Sequence, residues 1–570
     1  MSETLLKDAV RLHQAGQLGE AARLYGAILR ASPRNFEALY FLGFLHSQRG
    51  EFVEADRLMA EALRINPRSP DAHYNRGCAQ QVLQRHTDAL VSFEKALALK
   101  PNYSDASTNR GVALMALRRP IEALAAFDTA LAINPNDAEA LSNRGTVLFQ
   151  LKRYDEAAAN YESLLTLDPN FRYALGTLVL SRAYCCDWRF AQSDLSSLHA
   201  AMREGREVLP PHGATLISSD PEDQLLSARA WTSSRCRPQG PPLWRGERYR
   251  HDRIRVAYLS ADFHDHATAH LMAGVFEHHD RKRFETVAIS FGPDDKSTMR
   301  NSLVRSFERF VDVQDRSDAE TATLLRNMEI DIAVDLKGFT DGSRPGILVW
   351  RPAPVQVNYL GHPGTMGADF IDYIIADRTV IPERHRAYYR EKVVHLPDSY
   401  QCNDNKRSIA VAPSRTEAGL PERGFVFASF NNSFKITPEV FAIWTRLLHA
   451  APQSVLWLLD ANGSALHNLR REAEARGIEA TRLIFAPLTT QREHLTRQRL
   501  ADLFLDTLPC NAHTTASDAL WAGLPLLTCL GSTFAGRVAA SLLKAVELDE
   551  LVTPALEAYE SMALKLATDA

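Results

Sequence analysis

At 570 residues the chain is too long for one hydrophobic core, and its 45% apolar and 24% charged content is that of ordinary globular protein, so three or four domains are expected. A net charge of −4 argues against nucleic acid or an anionic membrane as the main partner, and any polyanion site must be a local pocket. Seven scattered cysteines without a Cys-x-x-Cys pair suggest neither a disulfide framework nor structural zinc; with no apolar run of spanning length and no basic, apolar leader, a cytoplasmic location is expected.

The first third is periodic. Pro33, Pro67, Pro101, Pro135 and Pro169 recur every 34 residues, and Gly43, Gly77, Gly111 and Gly145 keep the same step. So do Ala21, Ala55, Ala89, Ala123 and Ala157, while Tyr25, Met59, Phe93, Phe127 and Tyr161 fill one large apolar position. The pattern resembles the tetratricopeptide repeat across residues 2–168: paired helices whose small residues allow close approach, with an aromatic plug and a proline ending the second helix. Such units stack into a superhelix with a concave face. Asn75, Asn109 and Asn143 occupy one position of consecutive repeats, with Phe41 in the equivalent place of the second, each asparagine preceding Arg76, Arg110 or Arg144. A row of amides either bridges the repeats or holds the backbone of an acceptor polypeptide without reading its sequence, with the arginines adding positive charge nearby.

Residues 170–182 read as a further, degenerate repeat helix, giving a repeat domain over 1–182. A helical junction over 183–250 follows, in which the Pro-Pro pair of 208–216 is expected to be extended and to hold His212, and 237–242 is a linker. From residue 254 the pattern is α/β. Strands are predicted at 254–260, 286–290, 310–313, 332–336, 355–359, 373–375 and 393–395, and then at 425–429, 455–459, 483–485, 503–505 and 526–529. The fold class is therefore a superhelix of helical repeats followed by two Rossmann-like lobes, 251–405 and 406–570, facing across a cleft in the GT-B manner, with the polar stretch 399–418 as hinge.

Between the last two of these strands lies Pro509-Cys-Asn-Ala-His-Thr-Thr-Ala-Ser-Asp518, where hydroxyls, a histidine and free N–H groups gather at a helix start. That is a ready seat for phosphate, and Asp518 on the first turn suits two ribose hydroxyls. The same stretch also reads as an ordinary capped helix, with Thr514 or Ser517 as N-cap.

Ser260-Ala-Asp-Phe-His-Asp-His-Ala-Thr-Ala-His270, Arg351-Pro-Ala-Pro-Val-Gln356, Leu360-Gly-His-Pro-Gly-Thr365, Phe430-Asn-Asn-Ser-Phe-Lys-Ile436, Ser454-Val-Leu-Trp-Leu-Leu459 and Cys510-Asn-Ala-His-Thr-Thr515 closely resemble the O-GlcNAc transferase family, as does the domain order. The resemblance implies transfer of N-acetylglucosamine from UDP-GlcNAc to Ser or Thr hydroxyls of intracellular proteins, with inversion, without a metal and without a cofactor beyond the donor. It places Lys435 against the donor diphosphate with Asn432 nearby, and Thr489, His494 and Arg497 at the uracil. His513, Thr514 and Thr515 fall at the phosphates and Asp518 at the ribose. Thr268, Leu360, Gly361 and Cys510 surround the sugar, His266 lies near the sugar–phosphate bond, and His212 matches a histidine at the reaction centre. Four candidates stand for the proton acceptor: His212, His266, Asp262 and a donor phosphate oxygen.

The chain departs from the family in places. The stretch 399–418 is short where larger members carry a long insertion, Gln491 stands where a lysine is usual, and Phe434 replaces a tyrosine. Residue 570 is reached within a helix predicted at 554–568, before the final helix that normally crosses back to the first lobe. Two other readings share these residues: the same fold with another donor, such as GDP-fucose, and a repeat scaffold whose lobes bind nucleotide without turnover.

Overall fold

The computed structural model describes residues 2–238 and 240–569; Met1, Ala570 and Gln239 of the expected linker lie outside the described residues. The chain forms two compact units, Met1–Ala174 and Leu175–Ala570. Among the described residues no helix is long and apolar enough to cross a membrane.

The first unit is five antiparallel helix pairs, beginning with Ser2–Gln14 and Leu18–Ala31 and ending with Ala138–Gln150 and Tyr154–Leu167. The 34-residue alanines are fully buried, and so is the large apolar position one turn further on. A Cβ on Gly77 or Gly111 would lie 2.6 Å from the ring of Phe93 or Phe127, so the plug fits only against bare backbone. The arginine row is not free charge. Arg76 pairs with Asp56 at 2.8 Å, Arg110 with Glu94 at 3.6 Å and Arg144 with Asp128 at 2.7 Å, each tying a repeat to its predecessor.

The second unit opens with helices that carry the chain to two parallel sheets. The Pro-Pro pair corrects the expectation of an extended 208–216: Pro211 is the first residue of a helix, Pro211–Ile217, where its missing N–H would have had no partner anyway. The first lobe holds β1 (Ile254–Ser260), β2 (Phe284–Ser290), β3 (Arg309–Asp312), β4 (Ile332–Asp335), β5 (Val355–Asn358), β6 (Tyr373–Ala376) and β7 (Lys392–His395). The second holds β8 (Val426–Ser429), β9 (Val455–Leu459), β10 (Leu483–Ala486), β11 (Leu503–Leu505), β12 (Leu526–Cys529) and β13 (Val552–Thr553). Their orders are β3-β2-β1-β4-β5-β6-β7 and β10-β9-β8-β11-β12-β13. Each reverses beside its first strand, where loops from the carboxyl ends part and leave room for a ligand. The expected strands all form; the two-residue β13 is additional, too short to leave a pattern.

The lobes also share a core. Helix Val538–Ala545 follows β12, yet Val538 and the preceding Phe534 are buried in the first-lobe core with Tyr400 and Phe276, while Ala539 and Leu543 are buried in the second. Arg537 Nε donates to Thr379 O at 2.6 Å, and Ser541 Oγ to Asp377 at 2.7 Å.

Candidate functional site

The second-lobe wall starts at the end of β8. A single 3-10 turn, Ser433–Lys435, turns the lysine back over the sheet, where its ammonium donates to Asn511 O at 2.6 Å. That turn is clamped from behind. Ser433 Oγ donates to Tyr184 O at 2.7 Å, Asn462 donates to the same carbonyl at 3.0 Å, and the rings of Tyr184 and Phe434 meet at 4.8 Å. Asn432, by contrast, is exposed.

Beyond β11 the buried Asp506 organises the next loop. It accepts from Ala512 N and from Thr528 Oγ1, both at 2.6 Å, and burial pushes its carboxyl up to about 6. The loop buries Cys510 and ends at His513, whose Nε2 donates to Ala535 O at 3.0 Å. Burial first, and the Lys435 ammonium next, lower the His513 imidazole to about 3. His513 rather than Thr514 or Ser517 is the N-cap of helix Thr514–Ala522, and no side chain closes that end. Thr514 and Thr515 therefore sit beside uncommitted N–H groups, the arrangement that receives anions.

Asp518 is not open on both sides. Arg407, from the segment between the lobes, donates from Nη1 to Asp518 Oδ1 at 2.5 Å. Thr489 is likewise engaged, its hydroxyl donating to Glu493 in the capping box that starts helix Gln491–Gln498. Arg497 donates to Pro487 O at 2.5 Å and to His494 Nδ1 at 2.8 Å, and lies over the Phe430 ring at 4.9 Å. Burial lowers the His494 imidazole to about 4, with Arg497 adding to the effect.

The first-lobe wall is built after β1, β4 and β5. Asp262 receives the Lys337 ammonium on both oxygens, at 2.9 and 2.8 Å, and the Thr268 hydroxyl at 3.2 Å. His266 caps helix Ala267–Glu277 by accepting Thr268 N–H on Nδ1 at 3.2 Å. A neutral ring that accepts at Nδ1 carries its proton on Nε2, so the other nitrogen is a donor. Leu360 is held at a φ of 69°, a left-handed conformation costly for a side chain with a Cβ, and a Cβ on Gly361 would fall 2.1 Å from Leu336 O. His362 follows, buried, with neither ring nitrogen partnered.

His212, on helix Pro211–Ile217, lies with its ring centre 6.1 Å from that of His362. Burial first, and then the ammonium groups of Lys337 and Lys435, one from each lobe, lower its imidazole to about 4. Lys435 thus acts on His212, His513 and Cys510, while Lys337 of the first lobe acts on His212 and His266, with Thr268 bonded to Asp262 and Gly361 packed against Leu336 and Lys337. Asn75, Asn109 and Asn143 belong to the other unit. Sequence reasoning missed Lys337, His362 and Arg407. A lysine two residues past the end of an apolar strand was the available signal for Lys337; His362 stood inside a quoted motif.

Comparison with known proteins agrees with this architecture. The family model described as Glycosyl transferase family 41 matches residues 243–411 and 402–570, and tetratricopeptide repeat models match 12–79, 70–103 and 108–170. An Arabidopsis thaliana protein named probable UDP-N-acetylglucosamine–peptide N-acetylglucosaminyltransferase SEC is 38% identical over 337 residues, 58% of this chain and 34% of that protein. A Caenorhabditis elegans protein named UDP-N-acetylglucosamine–peptide N-acetylglucosaminyltransferase is 28% identical over 431 residues, 56% of this chain and 37% of that protein. The chain spans about a third of the length of these curated relatives. A solved structure of a mutant O-GlcNAc transferase from Thermobaculum terrenum superposes with a TM-score of 0.57 at 25% identity, covering 100% of this chain and 90% of that one. With the family model matched across both lobes of the cleft just described, the chain belongs to glycosyl transferase family 41.

Proposed function

We propose that this protein transfers N-acetylglucosamine from UDP-GlcNAc to serine and threonine hydroxyls of polypeptides, with inversion and without a metal. One observation carries the reading: two ammonium groups, Lys337 and Lys435, act on the neutral ring of His212 beside the uncapped start of helix Thr514–Ala522. Such a site is prepared for charge that develops on a departing diphosphate. The printed names of the relatives describe the same transfer in those proteins.

The acceptor oxygen bonds to the anomeric carbon on one face while the bond from that carbon to the phosphate oxygen breaks on the other. The bonding electron pair leaves with UDP. The hydroxyl proton passes to His212, a neutral base whose affinity for it rises once the donor's negative charges offset the two lysines. Asp262 is the poorer acceptor, since Lys337 occupies both its oxygens. His266, whose Nδ1 accepts from Thr268 N–H and leaves Nε2 as the donor, suits donation to the leaving oxygen. Lys435 and His513–Thr515 serve the diphosphate, Thr489, His494 and Arg497 the base, and Asp518 the ribose, with Thr268, Leu360, Gly361 and Cys510 around the sugar.

The test is hydrolysis and transfer to a protein acceptor with a panel of UDP- and GDP-sugars, run in EDTA. UDP-GlcNAc is expected to give the highest kcat/KM for transfer. Preference for GDP-fucose, dependence on added Mg²⁺ or Mn²⁺, or tight UDP binding without turnover with any sugar each overturns the proposal.

A further inference from the structure

The segment joining the lobes has no regular secondary structure, yet it is pinned to both. Lys406 pairs with Glu277, at the end of the first-lobe helix that begins beside His266. The next residue, Arg407, pairs with Asp518 in the second lobe, with only 3% of the arginine side chain and 8% of the carboxylate side chain exposed. Trp521 Nε1 donates to Arg407 O at 3.2 Å, the guanidinium lies 5.4 Å from the centre of the same ring, and Ala410 N donates to Thr496 Oγ1 at 3.1 Å. Main chain and side chain are therefore both fixed.

What the arginine does with its remaining donors is unexplained by the fold. Nε and Nη2 are buried without a hydrogen-bond partner. A buried guanidinium that leaves two of its three nitrogens unmatched forfeits their hydration, a cost that proteins ordinarily avoid. Asp518 accepts Arg407 on one oxygen, and its other oxygen is not among the buried, unpartnered atoms. The unmatched donors of Arg407 call for acceptor oxygens at this spot.

We infer that Arg407 is a further donor-binding residue, fixing the Asp518 carboxylate in place for the ribose and offering its own unmatched N–H groups to oxygens of the nucleoside diphosphate. The inference rests on the donor reading above. Its physical basis is reciprocal. Burial raises the Asp518 carboxyl, and the guanidinium beside it opposes that rise, so removing the arginine leaves a carboxyl prone to take up a proton. A protonated carboxyl accepts fewer hydroxyl hydrogen bonds, and ribose loses part of its seat. Two charged groups act on Asp518: Arg407 from the connecting segment and, more weakly, His270 from helix Ala267–Glu277, which also favours the ionised carboxyl.

Titration of the full chain with UDP by calorimetry, between pH 6 and pH 8, tests this. Arg407→Met is expected to weaken UDP at least tenfold at pH 8 and to lose more affinity than the wild type as pH falls toward 6. Arg407→Lys, which keeps the charge but not the fork, is expected to recover the wild-type pH profile while remaining weaker. Should Arg407→Met fold poorly, the Arg407→Met, Asp518→Asn pair removes both charges, and its UDP affinity should be low and follow the wild-type pH profile. Arg407→Met with unchanged or tighter UDP binding overturns this inference alone. A wild-type protein that does not bind UDP overturns the donor reading and this one with it.

Discussion

Lys435 is the most exacting residue of the cleft, because its position is overdetermined. Tyr184, Asn462 and Asn511 fix the turn and the ammonium before any ligand arrives. A lysine about 4 Å from one phosphate charge is worth roughly 4 kcal/mol at an effective dielectric near 20, against about 0.3–2 kcal/mol for a helix terminus. Lys435→Met keeps the stem and removes the charge. Single-turnover transfer is expected to slow at least about a hundredfold, roughly 2.7 kcal/mol of transition-state stabilisation, with a smaller loss in UDP affinity. Near-wild-type turnover by a folded variant would remove the central cation from the mechanism. Lys435 and His513 were legible because each stands in a string that resembles the O-GlcNAc transferase family. Lys337 and Arg407 were not, since their partners lie 75 and 111 residues away in the chain and no local pattern records such a pairing.

At the scale of elements, the asparagine row of the repeats acquires a structural companion. Asn75 donates to Tyr40 OH at 3.0 Å and Asn109 to Tyr74 OH at 3.2 Å, so tyrosine of one repeat orients the amide of the next. The place of that tyrosine before Asn143 is taken by Thr108. Asn109 donates also to Asp105 O at 3.0 Å, so the amide nitrogens are engaged inside the array, and on the acceptor-binding reading the carbonyl is the group expected to meet a polypeptide N–H. Changing Asn75, Asn109 and Asn143 together to Ala is expected to raise KM for protein acceptors severalfold and to leave UDP affinity and donor hydrolysis unaltered. A parallel fall in UDP affinity would make the row purely structural. The repeat was readable because its period of 34 is written in the residues themselves, and the strands because parallel strands buried on both faces are short continuous apolar runs. The helix Pro211–Ile217 was not, because proline marks a helix start as readily as a break, and only the tertiary setting decides.

At the scale of the whole molecule, the second unit is two sheets by topology but less clearly two bodies. Helix Val538–Ala545 sets adjacent stripes against different lobes: Val538 toward the first core, Ala539 and Leu543 in the second, with Leu542 against both. Residues one apart on a helix point about 100° apart, so a single helix can key two interiors at once. Val538→Ala, which empties a fully buried position, is expected to cost roughly 2 kcal/mol. In differential scanning calorimetry the transition of both lobes should move down together. A variant that splits the profile into one shifted and one unshifted transition would show the lobes to be energetically separate.

That shared helix bears on how substrate enters and product departs. Two plates joined by a limp strip can open like a book; two plates threaded by one dowel can only rock about it. Arg537 and Ser541 fasten the dowel to the first plate at Thr379 and Asp377. Val538–Ala545 therefore ties the two plates from within, and Lys406 and Arg407, each gripping an opposite side, tie them again through the connecting segment. On the donor reading proposed above, nucleotide exchange is expected to need only small rotations of the lobes and to quicken when the Arg407–Asp518 pair is removed.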